Sequence, residues 1–392
     1  MKILYITFFY TPDLSAGSFR NTTLVKELAK QLSPEDSIEV ITTMPNRYKT
    51  YQVPALAFEQ EGNVSISRLS LPAHKSNMKG QIRAFIYFFY QVNKRVKVAD
   101  YDVVYASSSK LFTAFLGAFL ARKKKLPLYL DIRDIFRESI LDVLGKRWFS
   151  GILSFLLRQI ENYTFGYSQH INLVSKGFRS YFEPYQQATF SYFTNGIDSE
   201  FLASYPNKPL ENQEIKTILY AGNLGEGQGL HLIVPQLAKA LGGGYQFVLI
   251  GDGGAKERLQ KALLEEQVTN VQVRSPIPRK DLITEYQQAD FLFLHLNTHQ
   301  AFERVLPSKI FEYACFNVPI IAGVGGYASE FIEQYVSNSI VFPAGDCQVF
   351  LDKFRAYTYK REERKSFKQQ FQRERINQEM AMSILSCGKL LS

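Results

Sequence analysis

Short apolar runs alternate with stretches of helical spacing from one end of the chain to the other. In the first half, runs rich in β-branched and aromatic residues predict strands at 2–9, 37–43, 64–70, 102–109, 127–133 and 170–176. Between them apolar residues recur three and four apart, as at Leu24, Leu28 and Leu32 and along 81–98 and 146–166, which predicts helices. The pattern then restarts, with strands at 217–223, 245–253, 268–275, 290–296, 319–324 and 339–344 and a helix fitting each gap. Nearly continuous apolar strands alternating with helices mean a parallel sheet covered on both faces. The expected fold class is α/β, with two Rossmann-like parallel-sheet domains facing across a cleft. In such sheets ligands bind beyond the carboxyl ends of the strands.

A length of 392 residues is more than one hydrophobic core usually serves. An Asn-Gly turn at Asn195 and Gly196, followed by an aperiodic polar stretch from Ser204 to Glu214, marks the division. The domains expected are 1–195, 196–345 and a charged helical segment, 346–392, that packs back on the first domain.

Composition narrows the setting. Cys315, Cys347 and Cys387 have no paired spacing, so neither a disulfide frame nor a zinc site is expected, and a reducing compartment is. Lys2 leads directly into a strand-like run rather than a secretory signal. The longest uncharged apolar stretch, 111–121, is too short to span a bilayer. Residues 1–195 hold 25 Lys and Arg against 15 Asp and Glu, a balance of +10; residues 196–392 hold 21 and 22, a balance of −1. The first half should therefore face an anionic partner. Its basic aromatic segments, 75–97 and 146–158 (the latter with Trp148 and Phe149 beside Lys146 and Arg147), suit an anionic membrane surface. No nucleic-acid recognition module accompanies that charge. A cytoplasmic protein, peripheral on the inner membrane face, is expected.

The stretch 305–326, VLPSKIFEYACFNVPIIAGVGG, carries the most chemistry. Pro307 and Ser308 open a short helix whose free N–H groups would favour an anion, and Lys309 adds a full charge there. Lys309 and Glu312, three apart, share a helix face with Ser308, an arrangement suited to phosphates on Lys309 and ribose hydroxyls on Glu312. The simpler reading is a local ion pair on an exposed turn. Glycines cluster after two successive strands, in GNLGEGQG (222–229, with Asn223) and IGDGG (250–254, with Gly251 and Gly253). Gly17 and Ser18 stand in the first strand-to-helix turn, where a bare backbone can approach a phosphate. The segment 131–142, DIRDIFRESILD, places Arg133, Asp134 and Glu138 where an acceptor hydroxyl could be held. Asp100 and Asp102 form an Asp-x-Asp pair, but they precede their strand and so lie at the wrong end of the sheet for a metal site.

Taken together, GNLGEGQGL, the strand ending IGDG, the Asp290 strand, LPSKIFEYA and VPIIAG resemble retaining nucleotide-sugar glycosyltransferases of family four, which have the GT-B fold. The resemblance covers 215–345 specifically and the first half loosely, through Gly17 and the DIRD segment. It implies that Glu312 bonds the ribose and that Ser308 and Lys309 lie beside the diphosphate. It also places Gly251 and Gly253 at the donor-side turn, Ile277 at the base, and Gly17 with Ser18 near the phosphate and sugar. Arg20, Arg133, Asp134 and Glu138 fall on the acceptor side, with Asp134 orienting the acceptor. The usual Glu-x7-Glu spacing lands on Arg304, with Glu303 adjacent, so either could touch the sugar. The Arg and Lys of the usual Gly-Arg-x4-Lys-Gly segment are Asn223 and Gln228 here, and Phe136 and Arg137 replace a Trp-Pro.

The implied activity is metal-independent transfer, with retention, from a nucleoside diphosphate sugar, uridine-linked, to a saccharide on polyprenyl pyrophosphate, in O-antigen or capsule assembly. No cofactor is expected. Alternatives are an epimerase or phosphorylase of the same build, or a non-catalytic adaptor docking on membrane.

Overall fold

The structure, a computed structural model, describes residues 1–13, 15–46, 53–72, 78–108, 111–138, 140, 150–202 and 214–389. Lys146, Arg147, Trp148 and Phe149, and most of the polar stretch after Ser204, lie outside these. The chain divides into two compact units, Met1–Asn195 with Glu374–Ser392, and Gly196–Arg373.

The first unit is built on an eight-stranded sheet. Its strands are β1 (Lys2–Ile6), β2 (Ser37–Thr43), β3 (Phe58–Glu61), β4 (Val64–Leu69), β5 (Val103–Ser108), β6 (Leu128–Ile132), β7 (His170–Leu173) and β8 (Thr189–Ser191), in the order β3-β4-β2-β1-β5-β6-β7-β8. All pairs are parallel except β3 with β4. In register across four neighbouring strands, Tyr5, Tyr105, Tyr129 and His170 stack with ring centroids 4.1, 5.7 and 4.3 Å apart. On that face helix α1 (Ala16–Gln31) packs through Leu24, Val25 and Leu28. The opposite face is covered by α2 (Met78–Val96), α3 (Leu111–Lys124) and α4 (Ser150–Phe165). Phe85 meets Phe112 at 5.1 Å, Phe89 meets Phe119 at 5.0 Å and Phe115 meets Tyr163 at 5.4 Å, so α3 lies between α2 and α4. Gly117 lets α3 sit on β5, since a Cβ there would come within 2.6 Å of the Ala106 methyl.

The second unit has six parallel strands, β9 (Lys216–Asn223), β10 (Tyr245–Asp252), β11 (Val271–Arg274), β12 (Phe291–His295), β13 (Ile320–Gly323) and β14 (Ser339–Phe342), in the order β11-β10-β9-β12-β13-β14. Helices α5 (Leu230–Leu241), α6 (Lys256–Glu265), α7 (Arg279–Gln288), α8 (Lys309–Tyr313) and α9 (Gly326–Tyr335) fill the crossovers. Alternate residues of each strand feed two cores, one on each face, because successive side chains point to opposite sides.

The segment after 345 is shared between the units rather than moving as one piece. Helix α10 (Cys347–Ala356) buries Phe350, Leu351 and Phe354, and α11 (Lys365–Gln370) buries Phe367, all in second-unit cores. The buried Arg364 guanidinium donates to the carbonyls of Phe316, Val318, Ser337 and Asn338, which fixes the approach to α11. Only the last helix, α12 (Arg373–Gly388), belongs with the first unit. Its Met380, Ala381 and Ile384 pack in the α1-side core with the tyrosines. Among the described residues no helix is long and apolar enough to cross a membrane.

Candidate functional site

In the second unit the groups singled out from sequence gather at the carboxyl ends of the strands. Ser308 precedes α8, and α8 is five residues long, so its dipole is that of little more than one turn. Charge at this place comes chiefly from Lys309. Its ammonium donates 2.8 Å to Glu312 Oε2 and 3.1 Å to the Tyr286 hydroxyl, and that hydroxyl donates 3.2 Å to the same carboxylate oxygen. Lys309 and Glu312 keep 24% and 20% of their side-chain exposure, so both can still reach a ligand. Tyr286 is fully buried, and burial, with the Glu312 charge next, holds its hydroxyl well above the ordinary tyrosine range. It therefore serves as a neutral hydrogen-bond relay between the two charged groups. Arg279 stands 4.0 Å from the other Glu312 oxygen and is itself clamped by Asp198 and Glu200.

The Lys309 side chain lies over the end of β9, its Cε 3.4 Å from where a Cβ on Gly222 would stand. Gly222 has φ +157° and pairs with Gly251 of β10; a Cβ on Gly251 would strike the Gly222 carbonyl at 1.8 Å. A Cβ on Gly253 would sit 2.6 Å from the Leu224 backbone. The bareness of Gly251 and Gly253 thus already has a packing cause, close contact with the β9 turn. Asn223 donates 2.9 Å to Gln228, so the two residues that replace Arg and Lys bond each other and shape the loop. Ile277 packs against the core on the α8 side. Glu303 adjoins the turn after β13, where a Cβ on Gly325 would be 3.2 Å from its carboxylate.

Three second-unit residues that pattern reasoning passed over hold this arrangement. Besides Tyr286, His295 donates from Nδ1 to the Gln228 carbonyl at 2.7 Å and accepts at Nε2 from the Gly345 amide at 3.1 Å. Those partners require the neutral ring, and burial lowers its pKa to about 4. Asn297 donates to the Glu226 carbonyl and its amide to that of Gly227, each at 2.8 Å. A lone histidine or asparagine at a strand end has no spacing to read, whereas the glycine loop they secure does.

In the first unit the structure brings Gly17, Ser18 and Arg133 together. A Cβ on Gly17 would be 2.2 Å from the Arg133 guanidinium. The Ser18 hydroxyl and Arg133 Nε are buried with no hydrogen-bond partner. Burial lowers the Arg133 pKa; the nearby Asp131 charge opposes that shift and the Arg20 charge adds to it, and the net direction is down. Asp134 lines a small pocket with Ser108, Phe136, Glu161 and Tyr181, and Glu138 follows it, half-buried.

Arg20 departs from expectation. Its side chain is wholly buried, bonded at 2.9 and 3.0 Å to Asp131 and to the carbonyls of Phe193 and Thr194. Each guanidinium nitrogen is committed to the fold, because an unpaired guanidinium at that depth would be costly. It holds the sheet together and is not an acceptor contact. Arg137 is likewise bound to Glu161 and the Tyr181 hydroxyl. Asp102 takes the Lys2 amide at the amino end of the sheet, away from the strand ends where ligands bind.

Residues 203–374, which include every second-unit group described above, match the family Glycosyl transferases group 1. The chain is 25% identical over 368 residues to WcaI of Escherichia coli K12, a putative colanic acid biosynthesis glycosyl transferase, covering 86% of this chain and 84% of that one. Its fold is similar to that of Anabaena HepE crystallised with UDP-glucose, at 18% identity and TM-score 0.68 over 98% of this chain and 100% of that chain. It is also similar to apo WaaB, a lipopolysaccharide outer core galactosyltransferase, at 14% identity and TM-score 0.61 over 98% and 99%. The fold is GT-B.

Proposed function

We propose that this protein is a glycosyltransferase that moves a hexosyl group, with retention and without a metal ion, from a UDP-linked sugar to a saccharide carried on polyprenyl pyrophosphate. The setting is surface polysaccharide assembly, of the O-antigen or capsule kind, at the inner face of the cytoplasmic membrane. The observation that carries this reading is the Lys309–Tyr286–Glu312 cluster over the glycine end of β9, in a segment of this family.

The cluster leaves capacity for a donor. An ammonium has three N–H groups; two go to Glu312 and Tyr286, and the third can take a diphosphate oxygen. Glu312 uses Oε2 for both neighbours and keeps Oε1 for ribose hydroxyls. In the reaction the bond from the anomeric carbon to the diphosphate oxygen breaks. An acceptor oxygen bonds to the same face, and its proton passes to the departing phosphate. Lys309, Ser308 and the loop amides stabilise the charge that develops on the leaving group, by preorganised electrostatics. Glu303 contacts the sugar, Ile277 the base, and Asp134 with Glu138 the acceptor. Gly17, Ser18 and Arg133 receive anionic charge in the first unit. WcaI and the UDP-glucose bound by HepE support a polysaccharide setting and a uridine donor.

The test is transfer from UDP-sugars to a polyprenyl-pyrophosphate saccharide with and without a chelator, the product's anomeric configuration being read by NMR. The reading predicts an unchanged anomeric configuration and full activity in chelator. Inversion, a strict need for divalent metal, or return of an epimerised nucleotide sugar would refute it.

A further inference from the structure

We infer that the outward face of α2 and α4 in the first unit is a docking surface for an anionic lipid bilayer. On α2, Ile82, Ile86 and Tyr90 follow one another at four-residue steps and are 44%, 63% and 61% exposed, while Ala84, Phe85, Phe88 and Val92 on the other side are buried. On α4, Ile152, Phe155 and Leu156 form a second stripe at 63%, 61% and 54%. The aromatic contacts of α3 with both helices place the two stripes on one helical layer. Other exposed large apolar side chains, such as Leu232, Leu264 and Met382, stand singly on separate elements, as is ordinary for a soluble surface.

Charge selects the occupant. Exposed Arg83 and Lys94 border the α2 stripe, Lys97 follows that helix, Lys123 stands in the last turn of α3, and Arg158 follows the α4 stripe. The sequences of the three helices contain one carboxylate, Glu161, which is 3% exposed and bound to Arg137 and Tyr181. Apolar side chains flanked by long cations, with no exposed carboxylate on the three helices themselves, match the boundary of a bilayer bearing anionic headgroups. There the apolar stripe enters the acyl region, and the Lys and Arg stems reach the phosphates. The surface deepens the reading of a lipid-carried acceptor, which calls for an enzyme held at a membrane.

The test is co-sedimentation of the full chain with vesicles of phosphatidylcholine alone or with added phosphatidylglycerol. The variants are Ile86→Glu with Phe155→Glu, Arg83→Glu with Lys94→Glu, and the control Leu264→Glu. Thermal shift with UDP is measured on the same samples. Wild type and control should pellet with the anionic vesicles, and each double variant should lose about tenfold or more in partitioning while keeping its UDP shift. Wild type left in the supernatant, equal pelleting with neutral vesicles, or double variants that pellet like wild type would overturn the surface. A dimer in solution that hides this face would do so too. Wild type that fails to bind the anionic vesicles yet keeps its UDP response refutes the surface alone, whereas absence of any UDP response in wild type refutes the donor reading.

Discussion

Gly17 passes so close to Arg133 that a single methyl group on the glycine would stand 2.2 Å from the guanidinium. The guanidinium is the free end of a long side chain, so it can move aside without unfolding the sheet. Gly17→Ala should therefore shift the melting point little and lower acceptor-dependent turnover about tenfold, or about 1.4 kcal/mol of barrier. Steady-state kinetics beside thermal melting checks this. Full turnover in Gly17→Ala would remove the Gly17 and Arg133 pair from the site.

Lys309→Ala and Glu312→Ala should each reduce turnover at least about a hundredfold, the size seen when one preorganised charge-stabilising group is lost. Tyr286→Phe removes only the shared hydroxyl and leaves both charges, so a smaller loss, about three- to tenfold, is expected. Single-turnover rates in saturating donor separate these effects from weaker binding. Equal rates in all three variants and wild type would exclude the cluster from the chemistry.

Arg20→Ala tests a structural role against a recognition role. Removing one partner of a buried pair leaves the Asp131 charge uncompensated and costs about 3 to 5 kcal/mol. Urea unfolding should show that loss. An acceptor contact would instead show unchanged stability and a raised acceptor KM.

Stability should also fall in mild acid. The neutral His295 ring, 2% exposed, titrates at about 4 when folded and near 6.5 when unfolded. A histidine whose folded pKa is depressed gives its full stability above about pH 6.5. Below that the unfolded chain binds the proton first, and stability is lost progressively toward pH 4, by about 3 kcal/mol in all. His170, also lowered to about 4 by burial, adds a contribution of the same sign. Urea midpoints between pH 7 and 4 should decline less steeply in His295→Asn; an equal slope would show that this ring is not responsible.

The twelve strands expected from apolar runs are present, because parallel strands buried on both faces are written as continuous Val, Ile, Leu and Phe. Two strands had no such signal. Strand β3 reads FEQE, and its edge position leaves three of the four residues exposed; β8 has only three residues. The pairing of Lys309 with Glu312 followed from their three-residue spacing. Tyr286 and Arg279 lie on a preceding helix and approach Glu312 only through tertiary packing, which no local spacing encodes. Arg20 was misassigned for a related reason. A charge near a glycine turn reads as ligand contact until its buried partner, 111 residues away, is located.

The central claim is that the second unit grips a nucleoside diphosphate through Lys309 and Glu312. The most direct measurement is the melting point of wild type, Lys309→Ala and Glu312→Ala with UDP, GDP, TDP and their sugars, since a ligand at about a hundred times its Kd adds about 2.7 kcal/mol to the folded state. The account predicts a clear rise for wild type with UDP and its sugars, and a much reduced rise in both variants. No rise with any nucleoside diphosphate, or an undiminished rise in both variants, would contradict it.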